Sequence, residues 1–134
     1  MAFADGQTEA TISEGIGPET ITLAGTVTKG DVLGYSSGWK RALATTGTAI
    51  QGKLIAGQSG VTDGVITGYV AARVGGRFSG GTIQAPVYSA EGTDNGKITE
   101  TKPTTSGDVN KQIGFMVSAT EAWLAPGLAT DSVA

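Results

Sequence analysis

From Ile21 onward the apolar positions come in short runs, broken every few residues by glycine, serine, asparagine or aspartate. Side chains that alternate between two faces with period two, bounded by such breakers, predict β-strands joined by tight turns. Ile21, Leu23 and Val27 form a first candidate edge. Lys29-Gly30-Asp31 turns the chain into Val32-Leu33-Gly34-Tyr35, and Ser36-Ser37-Gly38 turns it again into Trp39–Leu43. Ile50–Ala56 reads as a strand with a bulge at Gly52, and Asp63-Gly64 opens a longer one from Val65 to about Val74. Val87-Tyr88-Ser89 precedes a loop ending at Asn95-Gly96, after which Lys97–Thr101 alternates as a half-buried strand does. Ile113, Phe115 and Val117 share one face, Gly114, Met116 and Ser118 the other, and Trp123-Leu124 is the last strand before Pro126. No stretch carries helical periodicity; Ala42–Ala49 is the least defined.

Residues 1–20 differ: small, polar and acidic groups surround Phe3, Ile12 and Ile16, and Gly15, Gly17 and Pro18 would interrupt a helix. They read as an extended arm, ordered only when something pairs with it. The expected organisation is an acidic arm over 1–20, a β domain over 21–126 and a C-terminal tail over 127–134. The fold class is all-β, a small barrel or sandwich.

An internal echo sharpens this. One half runs Gly25-Thr26-Val27, Gly30–Ser36, Gly38-Trp39-Lys40 and Ile50–Ala56; the other runs Gly81-Thr82-Ile83, Ala85–Ser89, Gly96-Lys97-Ile98 and Gln112–Ser118. Each has a Gly-Thr start, a Tyr-Ser strand end, a glycine turn and an apolar strand broken by one glycine. Two similar β-units packed together would produce it, as would the general likeness of Gly/Thr-rich strands.

Composition bounds the size and the partners. A chain of 134 residues makes one domain with a modest core. The net charge of −3 offers no basic face for nucleic acid. The imbalance is local: Asp5, Glu9, Glu14 and Glu19 lie in the arm without a Lys or Arg, leaving the body nearly neutral. No apolar run reaches the ~20 residues that cross a bilayer, and the first residues lack the features of a signal peptide. A soluble product made in the cytoplasm is expected, with no membrane partner.

Histidine and cysteine are absent, which removes the commonest general base, the commonest nucleophile and most zinc sites. Asp31, Asp63, Asp94 and Asp108 neighbour turns, where aspartate ordinarily bonds local backbone. Gly47–Leu54 reproduces the G-x-x-x-x-G-K spacing of a phosphate loop, but Leu54 stands where a metal-binding hydroxyl belongs, and its surroundings predict a strand. Gly75-Gly76-Arg77-Phe78-Ser79-Gly80-Gly81 lacks the helix start of an anion site and reads as a flexible link between the halves. No enzyme, cofactor, metal or small-molecule substrate is expected. Phe3, Ile12 and Ile16 of the arm, with Trp39, are the candidate contact residues, Trp39 because basic and polar residues flank it.

Gly30-Asp31-Val32-Leu33, the segment Gly68–Phe78, Pro86-Val87-Tyr88-Ser89, Gly96-Lys97-Ile98-Thr99 and Ile113-Gly114-Phe115-Met116-Val117 follow one another in an order that resembles the head-decoration, or capsid cement, proteins of tailed bacteriophages. The likeness covers roughly residues 21–126 and rests on short glycine-based motifs. It implies a compact β-barrel-like fold, assembly as a homotrimer on the outer capsid surface of the virion, and an arm reaching neighbouring major capsid protein subunits. It implies no catalytic residue. The alternative is another virion β-module, a fibre, spike or tail-tip domain binding a receptor or glycan. Such a site wants exposed aromatics beside carboxylates or amides, whereas Trp39 has Lys40 and Arg41 beside it.

Overall fold

The computed structural model describes residues 2–128. The protein is almost entirely β: β1 (Ala4–Asp5), β2 (Thr11–Thr22), β3 (Val32–Tyr35), β4 (Trp39–Arg41), β5 (Leu54–Ala56), β6 (Val65–Gly75), β7 (Phe78–Ser79), β8 (Pro86–Ser89), β9 (Ile98–Thr99), β10 (Gly114–Met116) and β11 (Glu121–Leu124), with one 3₁₀ turn at Pro126–Leu128. Among the described residues no helix is long and apolar enough to cross a membrane.

β6 is the spine. Its Val, Ile, Thr and Tyr residues suit a pleated, half-buried surface, and it pairs antiparallel with β5 through Tyr69 and Gly68 and with β11 through Ala72–Gly75. The sheet runs β4-β3-β5-β6-β11-β10-β8-β9 and curls into a half-barrel, while β1 and β7 form a separate two-stranded ribbon. The small all-β fold expected from the pattern is the one found.

Two apolar cores result. The larger gathers Val32, Ile55, Ala72, Val74, Val87, Ile98, Ile113, Met116 and Leu124; the smaller gathers Ile21, Leu23, Val27, Leu33, Leu54, Ala56 and Ile66. β3 and β5 form the wall between them. Because successive side chains of a strand point to opposite faces, Val32 and Ile55 enter one core while Leu33, Leu54 and Ala56 enter the other. This explains the unbroken apolar runs: a strand buried on both faces has no polar position to alternate with.

The echo has a topological counterpart. β3 lies between β4 and β5, and β8 lies between β9 and β10, so both halves have the same strand order. The backbone bonds also correspond. The Lys53 and Ala56 N–H groups donate to Leu33 and Asp31 carbonyls, as Ile113 and Met116 donate to Val87 and Ala85. This register is displaced from the sequence alignment by one or two residues. Tyr35 and Tyr88 accordingly do not match: the first is exposed and the second buried.

The arm requires correction. The division at residue 20 falls inside β2, which pairs with β6 from Thr11↔Gly75 to Thr22↔Val65 around a bulge between Ile12 and Glu14. The arm's partner is therefore this chain's own β6. Pro18 is tolerated because β2 is an edge strand, paired with β6 alone. Gly15 fits because the Tyr69 ring lies over it; a Cβ there would come within 2.5 Å of the ring. Of the expected tail, Gly127 and Leu128 belong to the 3₁₀ turn, and 129–134 lie outside the described residues.

Candidate functional site

Charge is concentrated inside the molecule. The Arg77 Nε lies 2.8 Å from Asp5 Oδ1, and its terminal nitrogens lie 3.2 Å from Asp5 Oδ2 and 2.9 Å from Asp31 Oδ1. Arg41 Nε completes the chain at 2.7 Å from Asp31 Oδ2. Backbone and amide donors complete the shell: Thr28 N–H to Asp31, Gln7 and Ile98 N–H to Asp5, and the Gln7 side chain to Asp31 and the Asn95 carbonyl. Gly96, at φ +83, makes room, since a Cβ there would stand 2.9 Å from both Asp31 Cγ and Arg41 Cγ. Every carboxylate oxygen of the network is engaged, so it offers neither a free base nor an open ligand position. It clamps the first residues to the body.

Sequence reasoning missed this network. Asp31 does hold its local turn through Thr28 as expected, but it also meets two arginines from distant elements. The glycine-rich 75–81 stretch is no simple link: Arg77 is buried and Phe78–Ser79 is β7, paired with β1. An arginine beside bulky Phe78 within a glycine run was the available signal.

The phosphate-loop spacing leads into β5 rather than a helix. Lys111 is a buried cation nearby: its Nζ donates to the Gly52 carbonyl at 2.7 Å. Burial, helped by the charge of Lys53, pushes its ammonium down to about 8.

The four candidate contact residues are not brought together. Phe3 and Ile12 pack against the larger core, Phe3 with its ring 6.0 Å from that of Phe78. Ile16 is 55% exposed on β2. Trp39 is half-buried against the smaller core and meets Tyr35 edge-to-face at 5.6 Å. Tyr35, Val61 and Val65 are exposed by 67%, 64% and 63%. The β3–β4 hairpin and the 61–65 turn flank one stretch of chain: Leu23 exchanges backbone bonds with Asp63 and Gly64, and the Ala24 N–H donates to the Trp39 carbonyl. The segments that carry Tyr35, Val61 and Val65 thus adjoin the same stretch, Leu23-Ala24.

Two clefts open elsewhere. A polar one of about 410 Å³ is lined by residues including Phe3, Asp5, Glu91, Asp94 and Lys97. An apolar one of about 330 Å³ lies beside Phe115 and Trp123, which face each other in register across β10 and β11, with Gln112 at its side. Among the described residues no group of three or more acidic side chains is placed to hold a metal ion.

No family model, curated protein or solved structure matches this chain.

Proposed function

We propose that this is a capsid decoration protein: a homotrimer on the outer surface of an assembled tailed-phage head, bound to the major capsid protein and stabilising the shell by bridging its subunits. The observation that carries the reading is the exposure of Tyr35, Val61 and Val65 on segments that adjoin Leu23-Ala24, with Tyr35 against half-buried Trp39. Large exposed apolar side chains on adjoining segments of a small β body suit a contact surface. The sequence resemblance supplies the class of partner. A ligand that binds only the assembled, expanded shell stabilises that state by mass action, with weak contacts multiplied over the lattice.

Co-sedimentation with expanded and unexpanded capsids tests this directly. Preferential binding to expanded shells, with a trimer mass by light scattering, is expected; equal binding to both, or none, overturns it. The cleft beside Phe115, Trp123 and Gln112 favours a second reading, a glycan-binding virion module, because it combines aromatic rings with an amide. Glycan-array binding lost in Trp123→Ala would replace the first reading with the second.

A further inference from the structure

Three turns meet at the end of the body where Glu91 and Asp108 lie. Turn 45–48 is closed by Thr48 N–H to the Thr45 carbonyl, turn 91–94 by Asp94 to Glu91, and turn 105–108 by Asp108 to Thr105. They are tied to one another: Ala44 N–H donates to Ala90, Val109 N–H to Ala44, and Gly92 N–H to the Thr45 hydroxyl at 2.6 Å. The Thr46 N–H donates to Asp108 Oδ1 at 2.7 Å. Asp108 is almost completely buried, and its second oxygen, Oδ2, is covered without an N–H or O–H donor. A buried acceptor left unmatched is costly. Glu91 opens the neighbouring turn, which the Ala44–Ala90, Val109–Ala44 and Gly92–Thr45 bonds hold beside Asp108, and its largely exposed side chain is the carboxyl that acts on Asp108.

We propose that Glu91 and Asp108 share one proton, and that this proton pins the three turns together. The Glu91 carboxyl is the donor that Asp108 Oδ2 otherwise lacks. Two facing carboxylates would repel, whereas one proton converts the contact into a charge-assisted hydrogen bond. The wider charge environment does not supply a substitute. Asp94 and Lys97 line the same cleft as Glu91 and bridge to each other at 3.3 Å, and Asp5 is committed to Arg77. Turns 45–48 and 105–107 carry no charged side chain; Lys102 and Lys111 are the nearest charges in sequence to Asp108.

The ionisation directions agree. Glu91 is raised above its ordinary 4.5, first by the bond to Asp108, then by burial and by the Asp108 charge. Asp108 is lowered below 3.8, first by the bond with Glu91 and then by the Thr46 N–H. Above 4.5 the folded chain holds the Glu91 proton more tightly than the unfolded chain, so stability falls as pH rises through the raised Glu91 range. Below 3.8 the Asp108 contribution is lost as pH falls.

The experiment is a carboxyl-carbon NMR titration of the intact protein, with thermal unfolding of Glu91→Gln and Asp108→Asn. The two carboxyls should titrate apart and in coupled steps. Either amide supplies a permanent donor, so each variant should lose the fall in unfolding temperature that wild type shows as pH rises from 4.5 through the raised Glu91 range. An ordinary Glu91 titration overturns the proposal. So does a calcium-dependent rise in wild-type unfolding temperature that both variants lose, which would put a cation in the proton's place. Because no capsid is involved, this result stands apart from the decoration reading.

Discussion

Arg77 lies between the carboxylates of Asp5 and Asp31, and the side chains of all three are essentially removed from solvent. Removing one partner of such a buried set leaves uncompensated charge in a medium that solvates it poorly. Arg77→Ala should therefore destabilise the fold by about 3–5 kcal/mol, read as a lower urea midpoint. Lys111 acts in the opposite sense. Its folded-state pKa of about 8 lies below the ordinary 10.5, so between these values the unfolded chain binds more protons. Stability should rise with pH across that window, and Lys111→Met should flatten the rise in unfolding curves measured from pH 7.5 to 10.5. Neither residue's role was legible from its neighbours in sequence. Asp31 was read as a turn residue and remains one, but the arginines it meets approach through tertiary structure.

At the scale of elements, β3 and β5 owe their importance to being buried on both faces. Leu33 is fully buried in the smaller core, and Leu33→Ala should cost about 2–5 kcal/mol. Val65 is 63% exposed at the start of β6, and Val65→Thr should stay within about 0.5 kcal/mol; chemical denaturation of the pair measures the contrast. The strands after Ile21, apart from β7, were legible because period-two patterning and turn residues are local signals. The pairing of β2 with β6 was not. Thr11–Thr22 contains two interior glycines, a proline and few apolar side chains, so nothing in its own pattern announces the long strand beside which it lies.

For the whole molecule, the proposed contact surface draws on segments that are separate in sequence and adjoin Leu23-Ala24. Replacing Tyr35 and Val61 with Ser and Val65 with Thr should leave the unfolding midpoint close to wild type, because all three side chains are mostly exposed. Affinity for expanded capsids should fall by about tenfold or more, since interface energy concentrates in a few large side chains. Co-sedimentation over a range of protein concentrations measures it. Of the four contact residues read from sequence, Trp39 meets Tyr35, Ile16 is exposed on β2, and Phe3 and Ile12 are spent on the core.

Composition and short-range patterning were enough for the all-β class, the turns at Asp63-Gly64 and Asn95-Gly96, the resemblance between the halves and the absence of imidazole or thiol chemistry. Each depends on residue identity or on neighbours a few positions apart. Folding alone decided which carboxylates meet which cations, that Asp108 accepts from the Thr46 N–H, that residues 11–20 belong to the sheet, and which apolar groups remain outside. Those outcomes depend on distances between residues remote in the chain, which local periodicity does not encode.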